Sequence, residues 1–253
     1  PSFTRSSLWT RMAPMTMHAY LPVLLVAAAV ALAGCGQKTA GPSSWVVWQS
    51  VQDGDVQRLA KRLAEVPGLA NAVEEAGNSL LYESVGTPDI RVLKHLLANG
   101  AEVNHRNQFV LTPLHRAADE DRLEVVRLLL DNGAEVNARD CRGSTPLLAS
   151  AEFASLPVLN VLVEAGADVP TGNHYGRSAL HNAAKREETD VAEFLIEHGA
   201  RLNQVCEYGT PLDLTANCEI SEVLQAAGGA ASTNTSIASR THDQYLTRLP
   251  SER

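Results

Sequence analysis

Several residue types are scarce in this sequence of 253 residues, and each shortage excludes a class of protein. Aromatic residues make up only 5% of it, while Ala and Leu are abundant, which favours helices packed on helices. Basic residues are outnumbered by acidic ones, 21 to 29, and the net charge is −8. Because phosphate binding needs a concentrated basic surface, we expect no nucleic-acid partner. The 45% of hydrophobic residues still suffices for a sizeable core.

Sequence motifs of catalysis and metal binding are also missing. The sequence contains no H-E-x-x-H, no G-x-S-x-G and no glycine loop that would bind phosphate. It has four cysteines but no C-x-x-C spacing, so a zinc site is not predicted. We therefore expect a protein that is not an enzyme and has no catalytic residues, no cofactor and no metal.

The N-terminal segment has the pattern of a signal peptide. Residues 21–33 form an apolar run broken only by Pro22, which is shorter than the roughly 20 residues of a membrane-spanning helix. Arg5 and Arg11 supply a positive flank upstream. The candidate start residues Met12, Met15 and Met17 would each exclude both arginines, so we expect a start further upstream.

The apolar run ends in Leu-Ala-Gly-Cys at residues 32–35, which resembles the lipobox of bacterial lipoproteins. This resemblance implies cleavage before Cys35 and a diacylglycerol on its sulfur, since a thiol is the nucleophile that takes the lipid. An ordinary cleaved signal or a small buried cysteine is the alternative. The absence of Asp at position 36 implies an outer-membrane location facing the periplasm. Residues 36–44 are rich in Gly, Pro and Ser, which predicts a flexible tether.

A repeat with a period of about 33 residues follows the tether. Thr-Pro-Leu-His at residue 112 recurs as related tetrapeptides at Thr145, Ser178 and Thr210, where the last interval is one residue shorter than the two before it. We call the first residue of each tetrapeptide an anchor. Steps of one full period backwards from Thr112 reach Ser79 and then Val46. A second marker keeps the same phase at residues 99–104, 132–137, 165–170 and 198–203.

The two markers in fixed phase resemble the ankyrin repeat, and the resemblance covers residues 45–229. It implies an all-α solenoid of about six helix-turn-helix units, joined by finger loops and starting near residues 46, 79, 112, 145, 178 and 210. The first and last units depart from the pattern, as end caps of a repeat array do. From residue 230 to 253 the periodicity is lost, and we predict a disordered tail.

The residues of each unit support this fold. Thr or Ser at the anchor can cap a short helix, and Pro at the next position suits the first helical turn. A second helix follows with apolar residues at helical spacing, such as Leu123, Val126 and Leu129. His115 and His181 lie three residues past an anchor, where the family has a histidine bonded to backbone, so we interpret them as structural and not as catalytic or metal-binding residues.

The remaining cysteines are not expected to form a disulfide. Cys141 and Cys206 lie at equivalent positions two units apart, which separates them by roughly 20 Å if each helix layer is about 8–10 Å wide. A disulfide needs Cα atoms within about 7 Å. Cys206 and Cys218 lie at opposite ends of a short helix, which at about 1.5 Å per residue places them too far apart for easy bridging.

In ankyrin-repeat proteins the fingers and the first helices line a concave groove, and equivalent positions form rows across it. Three residues before the anchors, one row reads Phe109, Arg142 and Tyr175, with Tyr208 one step out of register. Aromatic and Arg side chains are common binding hot spots, although these rings could instead pack on neighbouring fingers. A second row lies seven and eight residues past the anchors and runs from acidic to basic, which could orient a partner, although such a row could also be simply a solvated face. Its members are Asp119, Glu120, Glu152, Phe153, Lys185 and Arg186.

The resemblances together predict a membrane-tethered, monomeric protein-binding module in the periplasm. A sharper hypothesis is an ankyrin-type immunity or protective protein that holds a toxin or an exported enzyme. The alternatives are a small-ligand-binding or enzymatic lipoprotein, which needs an enclosed pocket, and a structural spacer, which needs no aromatic residues in its groove. The candidate partner-binding residues are Phe109, Arg142, Tyr175, Tyr208, Phe153, Lys185 and Arg186.

Overall fold

The computed structural model describes residues 42–66, 68–153 and 155–232. The predicted signal segment with Cys35, the tether up to residue 41 and the tail from residue 233 lie outside the described residues. Within the described part, twelve helices follow one another along the chain: α1 (Pro42–Gln52), α2 (Val56–Glu65), α3 (Leu80–Ser84), α4 (Ile90–Ala98), α5 (Pro113–Asp119), α6 (Leu123–Asp131), α7 (Pro146–Glu152), α8 (Leu156–Glu164), α9 (Ala179–Arg186), α10 (Thr189–Glu197), α11 (Pro211–Leu214) and α12 (Cys218–Ala226).

The helices form six pairs, and the pairs stack in chain order. Each odd-numbered helix packs against the next odd-numbered helix, from α1 to α11. The even-numbered helices form a second layer, in which α2 contacts α4, α6 contacts α8 and α10 contacts α12. This arrangement confirms the predicted all-α solenoid of six helix-turn-helix units. Helix α1 begins at Pro42, two residues before the predicted end of the tether at residue 44.

The core is a set of columns that run the length of the stack. Equivalent leucines of the even-numbered helices are fully buried, namely Leu96, Leu129, Leu162 and Leu195. The leucines two residues past the anchors form a second column, which consists of Leu81, Leu114, Leu147 and Leu180. Burial of each such side chain contributes about 1.5–3 kcal/mol. Because each column draws on successive units, no unit buries its apolar face alone.

The anchors begin the odd-numbered helices from α3 to α11, as predicted. The Thr145 hydroxyl accepts a hydrogen bond from the Leu148 N–H, and Ser79 accepts one from the Tyr82 N–H. Pro146 occupies the first turn of α7, where its missing N–H costs nothing. In the last unit Asp213 takes the place of His, and its carboxylate accepts from the Thr210 N–H at 2.8 Å.

Asparagine side chains join consecutive units. Asn104 donates to the Gly133 carbonyl at 3.0 Å and accepts from the Glu135 N–H at 2.8 Å. Asn71 and Asn137 make the same pair of bonds one unit earlier and one unit later. In the last unit, the side-chain oxygen of Asn203 accepts the corresponding hydrogen bond from the Ala230 N–H at 2.7 Å.

The last unit therefore extends further than predicted. The Ala230 carbonyl accepts from the Thr210 hydroxyl, and the Ser232 N–H donates to the Asp213 carboxylate at 2.9 Å. Ala230 and Ser232 are therefore bonded to the last unit, within the stretch that the sequence predicts to be a disordered tail.

Candidate protein-binding groove

Each finger ends in a four-residue turn closed by a backbone hydrogen bond. The N–H of Gly143 donates to the Asp140 carbonyl at 2.9 Å, and that of Gly176 donates to Asn173 at 3.0 Å. The same bond closes residues 107–110 and 206–209. The fourth residue has a positive φ in every turn, which glycine adopts freely but Val110, at φ 61°, does not. Val110 thus carries strain of about 1–3 kcal/mol beside the finger tip.

A second hydrogen bond orients the side chain at each tip. The side-chain oxygens of Asn107, Asp140 and Asn173 accept from the N–H two residues later, at 2.9, 2.9 and 3.0 Å. In the last unit the Cys206 sulfur takes this role at 3.4 Å. The residues presented in this way are Phe109, Arg142, Tyr175 and Tyr208, which we call the tip row.

The prediction that Tyr208 lies one step out of register is wrong. Tyr208 follows Tyr175 by one full period and occupies the equivalent position of its turn. The last unit is one residue shorter because only Gly209 separates Tyr208 from its anchor, whereas two residues separate Tyr175 from Ser178. The deletion therefore falls after the tip and leaves the tip row straight.

The tip row is exposed. Phe109 is 59% exposed, Tyr175 57% and Tyr208 40%, so these rings are not buried between fingers. The Arg142 side chain is 69% exposed, and its Nε lies 3.8 Å from the Asp140 carboxylate. Adjacent fingers are joined by backbone bonds, since the Cys141 N–H donates to the Phe109 carbonyl and the His174 N–H donates to that of Arg142. The tips are thus held beside one another.

The second row lies at the ends of the odd-numbered helices. Lys185 and Arg186 form the exposed last turn of α9, and Phe153 caps α7 with 51% of its surface exposed. Asp119 and Glu120 end α5. The acidic-to-basic order is therefore present on the surface.

Between the tip row and the odd-numbered helices lies a cavity of ≈ 360 Å³. Of the seven candidates, it brings together only Arg142 and Tyr175. Phe109, Tyr208, Phe153, Lys185 and Arg186 do not line it. Its walls include side chains that we did not predict, among them Tyr82, Arg116, Arg177 and Asn182. A sequence signal did exist, because Arg116 and Asn182 both lie four residues past an anchor.

Arg116 is the centre of an ion-pair network on this surface. It donates to Glu120 at 2.7 Å and to Glu83 at 2.9 Å, and its guanidinium lies 5.0 Å from the centroid of the Tyr82 ring. Burial raises the pKa of Tyr82, and the Arg116 charge partly offsets this rise. The network joins the second and third units across the groove.

His115 and His181, each three residues past an anchor, have a structural role. The ring Nδ1 of His181 accepts from the Ser178 N–H at 3.1 Å, and its Nε2–H donates to the Gly209 carbonyl of the next unit at 3.2 Å. His115 bonds Thr112 and Ser144 in the same way. Burial lowers the pKa of His115, and it lowers that of His181 to about 4. This confirms the predicted bonding of both rings to backbone.

The thiols of Cys141, Cys206 and Cys218 are free, and within the described residues no group of His, Cys, Asp and Glu side chains could hold a metal ion. Among the helices that the structure describes, none is long and apolar enough to cross a membrane.

Two family models match the chain, both for ankyrin repeats. The model for three copies matches residues 80–173, and the model for many copies matches residues 162–214. Together they cover more than half of the chain, which therefore belongs to the ankyrin-repeat family. No curated protein matches it. Ankyrin repeats indicate a protein–protein interaction module, and such proteins are typically not enzymes.

Proposed function

We propose that this chain is a lipid-anchored protein of the bacterial cell envelope that binds a partner protein across its tip row. The observation that carries the proposal is the alignment of exposed aromatic and Arg side chains at equivalent finger tips. Full burial of the exposed part of Phe109 or Tyr175 would contribute about 2–3 kcal/mol each. A structural spacer would have no need for such residues on its surface.

The anchor in this proposal is Cys35. Its support is the sequence of residues 32–35, which resembles a lipobox, and the apolar run before it. In the sequence, six residues lie between Cys35 and the start of α1 at Pro42. In this proposal the lipid holds the chain at the outer membrane, on the side of the periplasm.

The partner in this proposal is a toxin or an exported enzyme of the same compartment, held as immunity and protective proteins hold their targets. An open groove suits such a partner because it presents several fingers to one folded surface. The acidic net charge of −8 mildly favours a basic partner.

Partner capture by the full chain tests the tip row. We expect the detergent-solubilised chain to retain one envelope protein, and Phe109→Ala and Tyr175→Ala each to weaken capture by more than about 1 kcal/mol. The melting temperature should hardly change, since both rings lie outside the core. Trp45→Ala is the control, because Trp45 is an equally exposed aromatic residue, 69% exposed, on α1. Undiminished capture by the double variant would refute the tip row as the binding surface.

Labelling with a radioactive fatty acid tests the anchor. The label should enter the wild-type chain and the Cys141→Ser control, whose altered thiol is exposed and free. Cys35→Ser should take up no label and should leave the membrane fraction. Incorporation of label into Cys35→Ser would exclude Cys35 as the lipidated residue.

A further inference from the structure

One small residue, Ala149, lines the cavity beneath the tip row at a position where the equivalent residues of other units are longer. Four residues past the anchors, the side chains of successive units are Glu83, Arg116, Ala149 and Asn182. Three of these are long or polar, but Ala149 has only a methyl group. Arg116 and Asn182 occupy the equivalent positions in the units before and after Ala149, and all three residues line the cavity.

Asn182, which lines this cavity, has a buried acceptor without a hydrogen bond to any residue that the structure describes. The residue is only 4% exposed, and its Nδ2 donates to the Leu148 carbonyl at 3.1 Å. In the part of the chain that the structure describes, its Oδ1 has no hydrogen-bond partner. A buried carbonyl oxygen without a donor is unfavourable, so a ligand that brings an N–H group would be stabilised there.

Two carboxylates on the same surface lack a basic partner. Asp119 and Glu152 occupy equivalent positions on α5 and α7, and both line the cavity. Among the described residues, neither has a basic side chain within ion-pairing distance. Burial raises the pKa of Asp119, Glu152 and Glu120 raise it further, and Arg142 partly opposes them. Each carboxylate thus adds to an uncompensated negative field.

The basic side chains of the cavity do not cancel this charge. Arg116 is paired with two carboxylates outside the cavity, and Arg142 lies 3.8 Å from Asp140. This leaves the positive charge of Arg177, which is outnumbered by the negative charges of three further lining residues, Asp119, Glu152 and Glu207. The Nε of Arg177 is itself buried without a partner within the described residues, which leaves one donor for a carbonyl group.

We propose that this cavity receives a lysine or arginine side chain of the partner polypeptide. The cation lies over Ala149 between Asp119 and Glu152 and donates to Asn182 Oδ1, while a carbonyl of the same polypeptide accepts from Arg177 Nε. The proposal rests on the proposed function, because it names the chemistry that the same groove recognises. An acidic or purely apolar segment would leave both carboxylates and the Asn182 oxygen unsatisfied.

A random dodecapeptide library displayed on phage tests this proposal on the full chain in detergent. We expect the selected peptides to share one lysine or arginine. A fluorescein-labelled copy of the best arginine peptide should bind about ten-fold more weakly when its arginine is replaced by citrulline, which keeps the shape but not the charge. The combined Asp119→Asn and Glu152→Gln variant should weaken the arginine peptide about as much and should leave the citrulline peptide nearly unaffected.

Two further variants separate the site from general charge. Asn182→Leu should weaken the arginine peptide about five-fold, with circular dichroism as the check on folding. Glu193→Gln, which removes an exposed carboxylate from α10, should have no effect. Selected peptides without a shared basic residue, an empty selection, or equal binding of arginine and citrulline peptides would each overturn the proposal. If tip-row variants still lose the partner protein in that case, the proposed function stands; if they retain it, both fail.

Discussion

Lowering the pH from 7 to 5 is expected to destabilise the stack, and His181 accounts for about 2 kcal/mol of the loss. The ring is fully buried, and its Nδ1 accepts a hydrogen bond from the Ser178 N–H. Protonation would place a second hydrogen against that N–H and would put a charge in the core. Burial therefore lowers the pKa of His181 from 6.5 to about 4 in the folded chain.

The direction of the effect follows from this lowered pKa. The unfolded chain takes up the proton near pH 6.5 and the folded chain only near pH 4, so stability is complete above pH 6.5 and falls as the pH drops between these values. Below pH 4 the total loss from this one group reaches about 3 kcal/mol.

Urea denaturation at pH 7 and pH 5 measures the loss. The informative variant is His181→Leu, because Leu148 occupies the equivalent position one unit earlier. We expect the stability of this variant to depend on pH less than that of the wild type, by about 2 kcal/mol between the two pH values. Replacement of the exposed His174 by Gln is the control and should leave the wild-type dependence in place. An unchanged pH dependence in His181→Leu would refute the reasoning.

Three further predictions concern packing, strain and charge. Leu162→Ala should cost about 2–5 kcal/mol in a urea melt, and Leu128→Ala should cost less because Leu128 is only half-buried; equal losses would contradict the core columns. Val110→Gly should raise the unfolding free energy by about 0.5–1 kcal/mol, since the relief of strain at φ 61° outweighs the added chain entropy; a loss of stability would contradict this. The combined Lys185→Glu and Arg186→Glu variant should slow association in stopped-flow measurements, with an effect that fades at high salt; a salt-independent effect would exclude steering.

Most of the fold could be predicted from the sequence because each repeat unit is determined largely by residues that are close together in the chain. Thr145 and Pro146 favour the start of a helix through their own side chains, and the regular period shows that the same local solution is used again. Each of these features depends on residues close together in the chain, so they can be inferred without coordinates.

The cavity could not be predicted in this way. The period shows that Arg116, Ala149 and Asn182 are equivalent, but not that Arg116 binds Glu83 while Asn182 leaves its oxygen without a partner among the described residues. Those outcomes depend on contacts between units. The same limit explains why the bond from Ala230 to Asn203 was not predicted, because it joins residues that lie 27 positions apart in the chain. The error at Tyr208 has a different origin, because its position was counted from an anchor that follows it one residue early, whereas its spacing of 33 residues from Tyr175 places it in the row.

Hydrogen–deuterium exchange of the chain with its captured partner tests the central claim most directly. The claim is that the partner covers the finger tips and the groove beneath them. We expect slower exchange at residues 107–110, 140–143 and 173–176 when the partner is bound, and unchanged exchange in α4, α6, α8 and α10. Protection confined to those even-numbered helices, with the finger turns exchanging as in the free chain, would contradict the account.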